Sequence, residues 1–345
     1  MTMPQDIKVL LVGDFPPPNG GIATHLDELR RAVRDHGARC EVLDIGKGQL
    51  PADGVIPAGG PVRFSGLLSS YAARGFRIHV HTGGDNPKSW MLAWACAVAG
   101  RLSGLEPILT LHSGLLPVWL SGSPGRRALA RAIVPRYGKV IAVAASQRAA
   151  LAACGVHAVE VLPAFTGRFL QPGSPPPGLR ELRDSASPLY CAMAVTSRPV
   201  YGLQVLLRGF AEVRARRPRA VLAIYGPGTE ELSGEGVRGF GELHRSQALA
   251  LLAACDVFVR PTIADGDSVS VREALALGRA VVATSVGHRP EGVLLVPPGD
   301  AAALSAAMIE AVEGSDRRPA EVPADSLQRI LSLYGVTACA VSAAS

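Results

Sequence analysis

Strand-like apolar runs alternate with longer helical patterns along almost the whole chain, in two successive sets separated by a proline-rich stretch. Such alternation calls for parallel sheets with helices on both faces, because neighbouring parallel strands can be joined only by a crossover. The first set opens with "IKVLLVGD" (Ile7 to Asp14), a Gly/Pro loop and an amphipathic helix from about Ile22 to His36. It continues through the strand candidates "RCEVLDI", "FRIHVHT", "PILTLHS", "KVIAVAA" and "AVEVLPA", with "KSWMLAWACAVAGRL" and "RRALARAIVPRY" as intervening helices. After "QPGSPPPGLRELRDSASP" (Gln171 to Pro188) come "LYCAMAV", a helix near Leu203 to Arg216, "AVLAIYG", a helix near Ser246 to Ala254, and "DVFVRP". A helix near Val269 to Leu277, "AVVAT", "GVLLVPP" and a helix near Ala301 to Glu313 complete the set. The expected architecture is α/β, two Rossmann-like doubly wound domains facing a cleft. Residues 1–170 form the first domain, 171–187 a linker, 188–325 the second domain, and 326–345 a closing helix packed back towards the first. In such sheets ligands bind beyond the carboxyl ends of the strands.

At 345 residues and 48% hydrophobic content the chain can bury two cores. Its longest apolar run, Trp90 to Gly100, is well short of the ~20 residues of a membrane span and is closed by Arg101. Gln5 and Asp6 stand where an export signal would be basic and then apolar, so a cytoplasmic protein is expected. The cysteines, Cys40, Cys96, Cys154, Cys191, Cys255 and Cys339, form no C-x-x-C pair and read as small buried hydrophobes, with neither disulfides nor zinc implied. Charge divides unevenly: residues 1–170 carry 18 Lys and Arg against 11 Asp and Glu, whereas residues 171–345 carry 17 against 18. The excess concentrates in "GRRALARAIVPRYGK" (Arg126, Arg127, Arg131, Arg136, Lys139), either a solvated helix face or a surface for anionic lipid or a phosphorylated substrate.

Two local patterns carry chemistry. In "GDFPPPNGGIATH" (Gly13 to His25), Gly20 and Gly21 let backbone approach a ligand closely, and the following helix offers unpaired amides suited to phosphate. It is not the G-x-G-x-x-G fingerprint of dinucleotide binders, and a Gly pair is often only a turn. In "TIADGDSVSVREALALGRAVVA", Asp265 precedes Glu273 by eight positions, with Asp265 to Ser268 as a loop and Val269 opening a helix whose amino-terminal amides face the same side as Asp265. Taken alone, these are a loop acid and a helix-start acid satisfying the dipole, or a pair of ligand contacts.

The spacing Asp265-x(7)-Glu273 resembles the E-x(7)-E pair of the group 1 family of retaining, nucleotide-sugar-dependent glycosyltransferases. The likeness runs through "EALALGRAVVATSVGHRPEGVLLVPPGD" to Asp300 and includes "PPPNGG", "LTLHSG" around His112 and "AIYGPG" at Gly226. The resemblance implies a GT-B fold, a nucleotide-sugar donor and an acceptor hydroxyl, the sugar moving with retention of configuration in polysaccharide or glycolipid assembly. It implies that Glu273 holds the donor ribose, that Asp265 lies beside the sugar, and that amides from Gly266 through Ser268 to Val269 meet sugar or phosphate. His112 would position the sugar by hydrogen bond, and His25, after the Gly pair, is a secondary candidate. Neither metal nor further cofactor is required on this reading, and no nucleic-acid partner is expected. The acceptor would be a saccharide or a lipid-linked sugar met at an anionic membrane surface.

Two departures matter. Asp265 is shorter than the usual Glu by roughly 1.5 Å. In "AVTSRPVYGLQVLLRGF", Arg198 and Gly202 match the donor-diphosphate segment, but Tyr201 stands where Lys is usual. Arg198 can offer a bidentate fork to a phosphate, while Tyr201 is either a hydroxyl donor or a packed aromatic. These departures keep open a catalytically silent binding protein, and the architecture keeps open a nucleotide-sugar epimerase. The H-x-H pair His79 and His81 with His112 could be read as metal-binding, but no neighbouring carboxylate completes a site.

Overall fold

The computed structural model describes residues 7–17, 20–46, 48, 52–165, 167–314 and 326–336. The chain divides into two compact units, Met1–Thr166 with Pro323–Ser345, and Gly167–Val322. The first contains β1 (Lys8–Gly13), α1 (Gly21–Asp35), β2 (Arg39–Asp44), β3 (Val55–Pro57), α2 (Pro61–Ala73), β4 (Arg77–Thr82), α3 (Pro87–Leu102) and β5 (Ile108–Leu111). It continues with α4 (Leu116–Ser121), α5 (Pro124–Ile133), β6 (Lys139–Ala142), α6 (Ala145–Ala152) and β7 (Glu160–Val161). The second holds α7 (Leu179–Ser185), β8 (Leu189–Met193), α8 (Leu203–Arg216), β9 (Val221–Tyr225), β10 (Ser233–Gly234), β11 (Val237–Gly239) and α9 (Arg245–Ala254). After these come β12 (Val257–Arg260), α10 (Val269–Ala276), β13 (Ala280–Thr284), β14 (Val293–Val296) and α11 (Ala301–Glu313), and α12 (Ser326–Tyr334) belongs again to the first unit.

The first sheet runs β3-β2-β1-β4-β5-β6-β7, all parallel. The second runs β10-β11-β9-β8-β12-β13-β14, parallel apart from the β10–β11 hairpin. Strand order reverses between β1 and β4 in one sheet and between β8 and β12 in the other, and these switch points are where a doubly wound sheet leaves a crevice for ligands. The central strands are apolar on both faces, as parallel strands covered by helices must be: Val9 to Val12 and Val257 to Val259 have essentially no exposed surface. Helix starts follow capping chemistry: Asn86 accepts from the Ser89 amide at 3.0 Å with Pro87 behind it, and Asp300 accepts from the Ala303 amide at 2.9 Å.

The stretch expected as a linker is instead built into the second unit. Leu179 and Ala186 are buried in the same core cluster as Leu189, Cys191 and Phe258, and the Gly173 amide donates to Ser246 O at 2.9 Å. Leu179 and Leu182, the apolar positions of "GLRELRDS", draw the short α7 onto the sheet despite the prolines before it. The closing helix α12 sits on the first unit, where the Arg77 guanidinium donates to Leu333 O at 3.2 Å and Arg329 pairs with Glu160 at 2.7 Å. Cys40, Cys96, Cys154, Cys191 and Cys255 are free and buried, and Cys339 lies outside the described residues. Among the described residues no helix is long and apolar enough to cross a membrane.

Candidate functional site

Three loops converge at the switch point of the second sheet. The loop after β8 carries Arg198 and Tyr201, the loop after β12 carries Asp265 to Ser268, and the loop after β9 carries Gly226 and Gly228. They are joined by backbone: Ile263 N donates to Val200 O at 2.9 Å, Ala194 N to Tyr225 O at 3.0 Å and Thr196 N to Pro227 O at 3.3 Å. The glycines are what let them meet. Gly202 has φ +71°, and a Cβ there would lie 1.9 Å from Pro261 O; one at Gly226, φ +122°, would lie 2.1 Å from Ala194 O.

Within this knot the acids are held by arginines. Asp265 Oδ2 accepts from Arg260 Nε at 3.0 Å, from Arg289 Nη2 at 3.2 Å and from Thr262 Oγ1 at 3.2 Å. Burial pulls the Asp265 pKa up, but Arg260 and Arg289 outweigh it and hold the carboxyl below its ordinary value. Its other oxygen accepts from the Gly266 amide at 3.1 Å, so among the amides expected to meet a sugar or phosphate, that of Gly266 is already engaged by Asp265. Ser268 caps α10, with its hydroxyl 3.1 Å from that of Ser270, and Val269 begins the helix, both buried. Asp267, two residues past Asp265, pairs with Arg272 at 2.7 Å, yet burial keeps its pKa raised.

Glu273, one turn into α10, accepts from Arg245 Nη2 at 3.0 Å and Nε at 3.2 Å, a fork that fixes its carboxylate from the start of α9. Tyr201 packs against the second core, with the Arg260 guanidinium 5.1 Å from its ring centroid. That places Tyr201 as a packed aromatic beneath the Arg260 guanidinium, a cation from the end of β12. Arg198 differs from these arginines: it is exposed, and its side chain has no ion pair or hydrogen bond among the described residues.

In the first unit, Gly20 caps α1 with extended backbone and Gly21 begins it, both exposed, and a Cβ at Gly20 would meet nothing within 4 Å. Packing within the described residues therefore does not demand glycine at position 20. His25, further along α1, is fully buried, with ring centroids 5.3 Å from His81 and 5.5 Å from His112. His112, half-buried at the end of β5, lies with Nε2 3.1 Å from His81 Nδ1. Burial drives the His25 pKa down to about 4, and it holds His79, His81 and His112 well below the ordinary imidazole value. Among the described residues no group of three or more His, Cys, Asp and Glu side chains is placed to hold a metal.

The geometry thus gathers Arg198, Tyr201, Asp265, Gly266, Ser268, Val269 and Glu273 in the second unit, and Gly20, Gly21, His25 and His112 in the first. Sequence reasoning missed Arg245, Arg260 and Arg289, the partners of the two acids. A basic residue ending an apolar strand, as Arg260 ends "DVFVR", is the one signal that could have found any of them.

Residues 188–314 match the family model described as glycosyl transferases group 1. No curated protein matches the chain by sequence. Similar solved structures include a sucrose-phosphate synthase from Thermosynechococcus elongatus, 19% identical, with 95% of each chain covered and a TM-score of 0.64. An α,α-trehalose-phosphate synthase (UDP-forming) from Burkholderia xenovorans, in complex with glucose-6-phosphate, is 14% identical, with 96% of this chain and 97% of that chain covered and a TM-score of 0.66. A putative UDP-N-acetylglucosamine 2-epimerase from Listeria monocytogenes is 14% identical, with 95% of each covered and a TM-score of 0.64. At these identities the structures speak for the two-domain GT-B fold, while the family match falls on the very unit whose loops hold the paired acids. The chain therefore has the GT-B fold, and its likeness to group 1 glycosyl transferases lies in residues 188–314.

Proposed function

We propose that the protein binds a nucleotide diphosphate sugar on its second unit and transfers the sugar to an acceptor hydroxyl with retention of configuration. The acceptor is a saccharide or a lipid-linked sugar, the latter met at an anionic membrane surface. The observation that carries this reading is Arg198: an exposed cation on the loop after β8, unpaired among the described residues, at a switch point where the neighbouring arginines are spent on Asp265 and Glu273. A departing diphosphate needs such a partner, and a cation already fixed in an ion pair offers less.

Other residues take supporting roles. Glu273, held by Arg245, receives the ribose hydroxyls. Asp265, locked between Arg260 and Arg289, shapes the sugar end of the site by fixing the Gly266 loop and keeping two guanidinium groups in place. Arg198 stabilises the leaving diphosphate, whose own oxygen takes the acceptor proton. His112, in the first unit, is a further candidate to hydrogen-bond a sugar, with burial holding its pKa well below the ordinary imidazole value. The test is a transfer assay with candidate donors and an acceptor panel, reading the anomeric coupling of the product by NMR: retained configuration is expected, and an inverted product overturns the mechanism. The shared fold of the Listeria protein gives the epimerase its standing as a second reading. Conversion of the donor sugar with no acceptor present would favour it.

A further inference from the structure

Four helices of the first unit, α2 to α5, present an outer surface that nothing in the donor chemistry uses. The exposed side of α3 carries Met91, Trp94, Val98 and Leu102, spaced three to four residues apart, so they form one stripe. Met91 is 70% exposed, Trp94 54% and Leu102 75%. Lys88 and Arg101 close the stripe at its two ends. The helix packs against α2 on one flank and α5 on the other; α2 adds exposed Val62 and Arg63, and α5 adds Leu129, Arg126 and Arg131.

The charge on this surface has one sign. None of α2, α3, α4 or α5 contains an acidic residue, and from residue 54 to residue 159 the only carboxylates are Asp85 and Glu106, against eleven Lys and Arg. Asp85 lies in the loop before α3 and accepts from Ser113 Oγ at 2.6 Å. A solvated helix face normally mixes both signs and buries its large apolar groups, and this one does neither. An apolar stripe rimmed by basic groups fits an interface whose surface is anionic and whose interior is hydrocarbon, and both signals together are what stable but reversible anchoring takes.

We propose that the α2–α5 face is a docking surface for an anionic lipid bilayer, with Trp94 and its neighbours on α3 entering the headgroup region and Arg63, Arg101, Arg126, Arg127 and Arg131 meeting lipid phosphates. The proposal deepens the reading that the acceptor is met at a membrane, but its test needs neither donor nor turnover. Trp94 is the reporter. Of the three tryptophans, Trp90 is 1% and Trp119 9% exposed, so a change of polarity at the surface registers through Trp94.

The full chain is mixed with vesicles of phosphatidylcholine alone, or of phosphatidylcholine with phosphatidylglycerol, at low salt, and both co-sedimentation and tryptophan emission are read. Binding to the anionic vesicles only, with a blue shift that is lost in Trp94→Phe, is expected. Replacing Arg126, Arg127 and Arg131 by Gln should lower the partition coefficient by roughly a hundredfold, about fivefold per arginine, and salt should release the parent protein. Met91→Ser with Trp94→Ser, both exposed, should weaken binding while the circular dichroism spectrum stays unchanged. No sedimentation with anionic vesicles, sedimentation without the blue shift, or self-association in the ultracentrifuge that hides Trp94 in a second copy would each overturn the proposal. Calorimetry with a nucleotide sugar on the same variants separates the two readings: intact donor affinity without vesicle binding removes the membrane face alone.

Discussion

Mild acid should destabilise the first unit through its buried histidines. His25 is held at about 4 by burial against an ordinary value of 6.5, and His79 and His81 are held well below that value, by burial first and by neighbouring histidines second. An unfolded chain takes up protons below about 6.5 that the native cluster refuses, so stability is complete above that pH and falls as pH drops towards the folded value. The slope for each such histidine is about 0.7 kcal/mol per pH unit at 6.5 and approaches about 1.4 well below it, where the unfolded imidazole is fully protonated. Between pH 6.5 and 5.5 each contributes about 1 kcal/mol, so three give roughly 3 kcal/mol, a large part of the ~5–15 kcal/mol that a domain commands. His112, half-buried, adds less. Glu41 works in a different window: burial raises its pKa, Tyr71 and Arg39 lower it further, and its contribution is lost only below the ordinary carboxylate range. All three tryptophans lie in the first unit, so urea unfolding followed by tryptophan emission reads that unit. The midpoint should fall from pH 7.5 to 5.5, most steeply below 6.5, and His25→Gln should reduce the stability lost over that range by about 1.4 kcal/mol in all, whatever its pH-independent packing cost. A midpoint that holds still over that range, or a His25→Gln slope equal to the parent's, refutes the reasoning.

Arg198→Ala should reduce turnover at saturating donor by roughly two orders of magnitude with little change in urea midpoint, since the side chain is exposed; near-normal turnover would place the leaving-group contact elsewhere. Asp265→Asn leaves Arg260 and Arg289 close together and buried without their anion, and should cost about 3–5 kcal/mol by far-ultraviolet circular dichroism in urea, with a smaller loss pointing to a solvated cluster. Gly202→Ala puts a Cβ on Pro261 O in left-handed backbone and should destabilise the second unit by about 2 kcal/mol, so a neutral result would mean that the β8 and β12 loops part easily.

The regular elements were legible because each carries its own period. β12, α8 and α11 fall where their apolar spacing puts them, and the acid pair was visible because its two members are close in sequence. What escaped depends on contacts between distant residues. Helix α2, "PVRFSGLLSSYAA", has a glycine and three serines, and it is held by Leu68, Tyr71 and Ala72 in a core that no local pattern announces. The linker reading failed because two leucines outweigh the prolines before them. Arg245, Arg260 and Arg289 come to Glu273 and Asp265 from the start of α9, the end of β12 and the loop after β13, and only the folded switch point shows that the acids are clamped. The fourfold histidine cluster is half legible in the sequence: the H-x-H of β4 and His112 stand out, but His25 joins them from α1 only in the fold.

The central claim is that the second unit holds a nucleotide diphosphate sugar with Glu273 at the ribose. Isothermal titration calorimetry of the full chain with UDP-, GDP-, ADP- and TDP-sugars addresses it directly. At least one should bind, and Glu273→Ala, folded by circular dichroism, should lose about 1–3 kcal/mol of that affinity, or roughly five- to a hundredfold in Kd. Binding of none of the four donors, or an affinity that Glu273→Ala leaves unchanged, would contradict it.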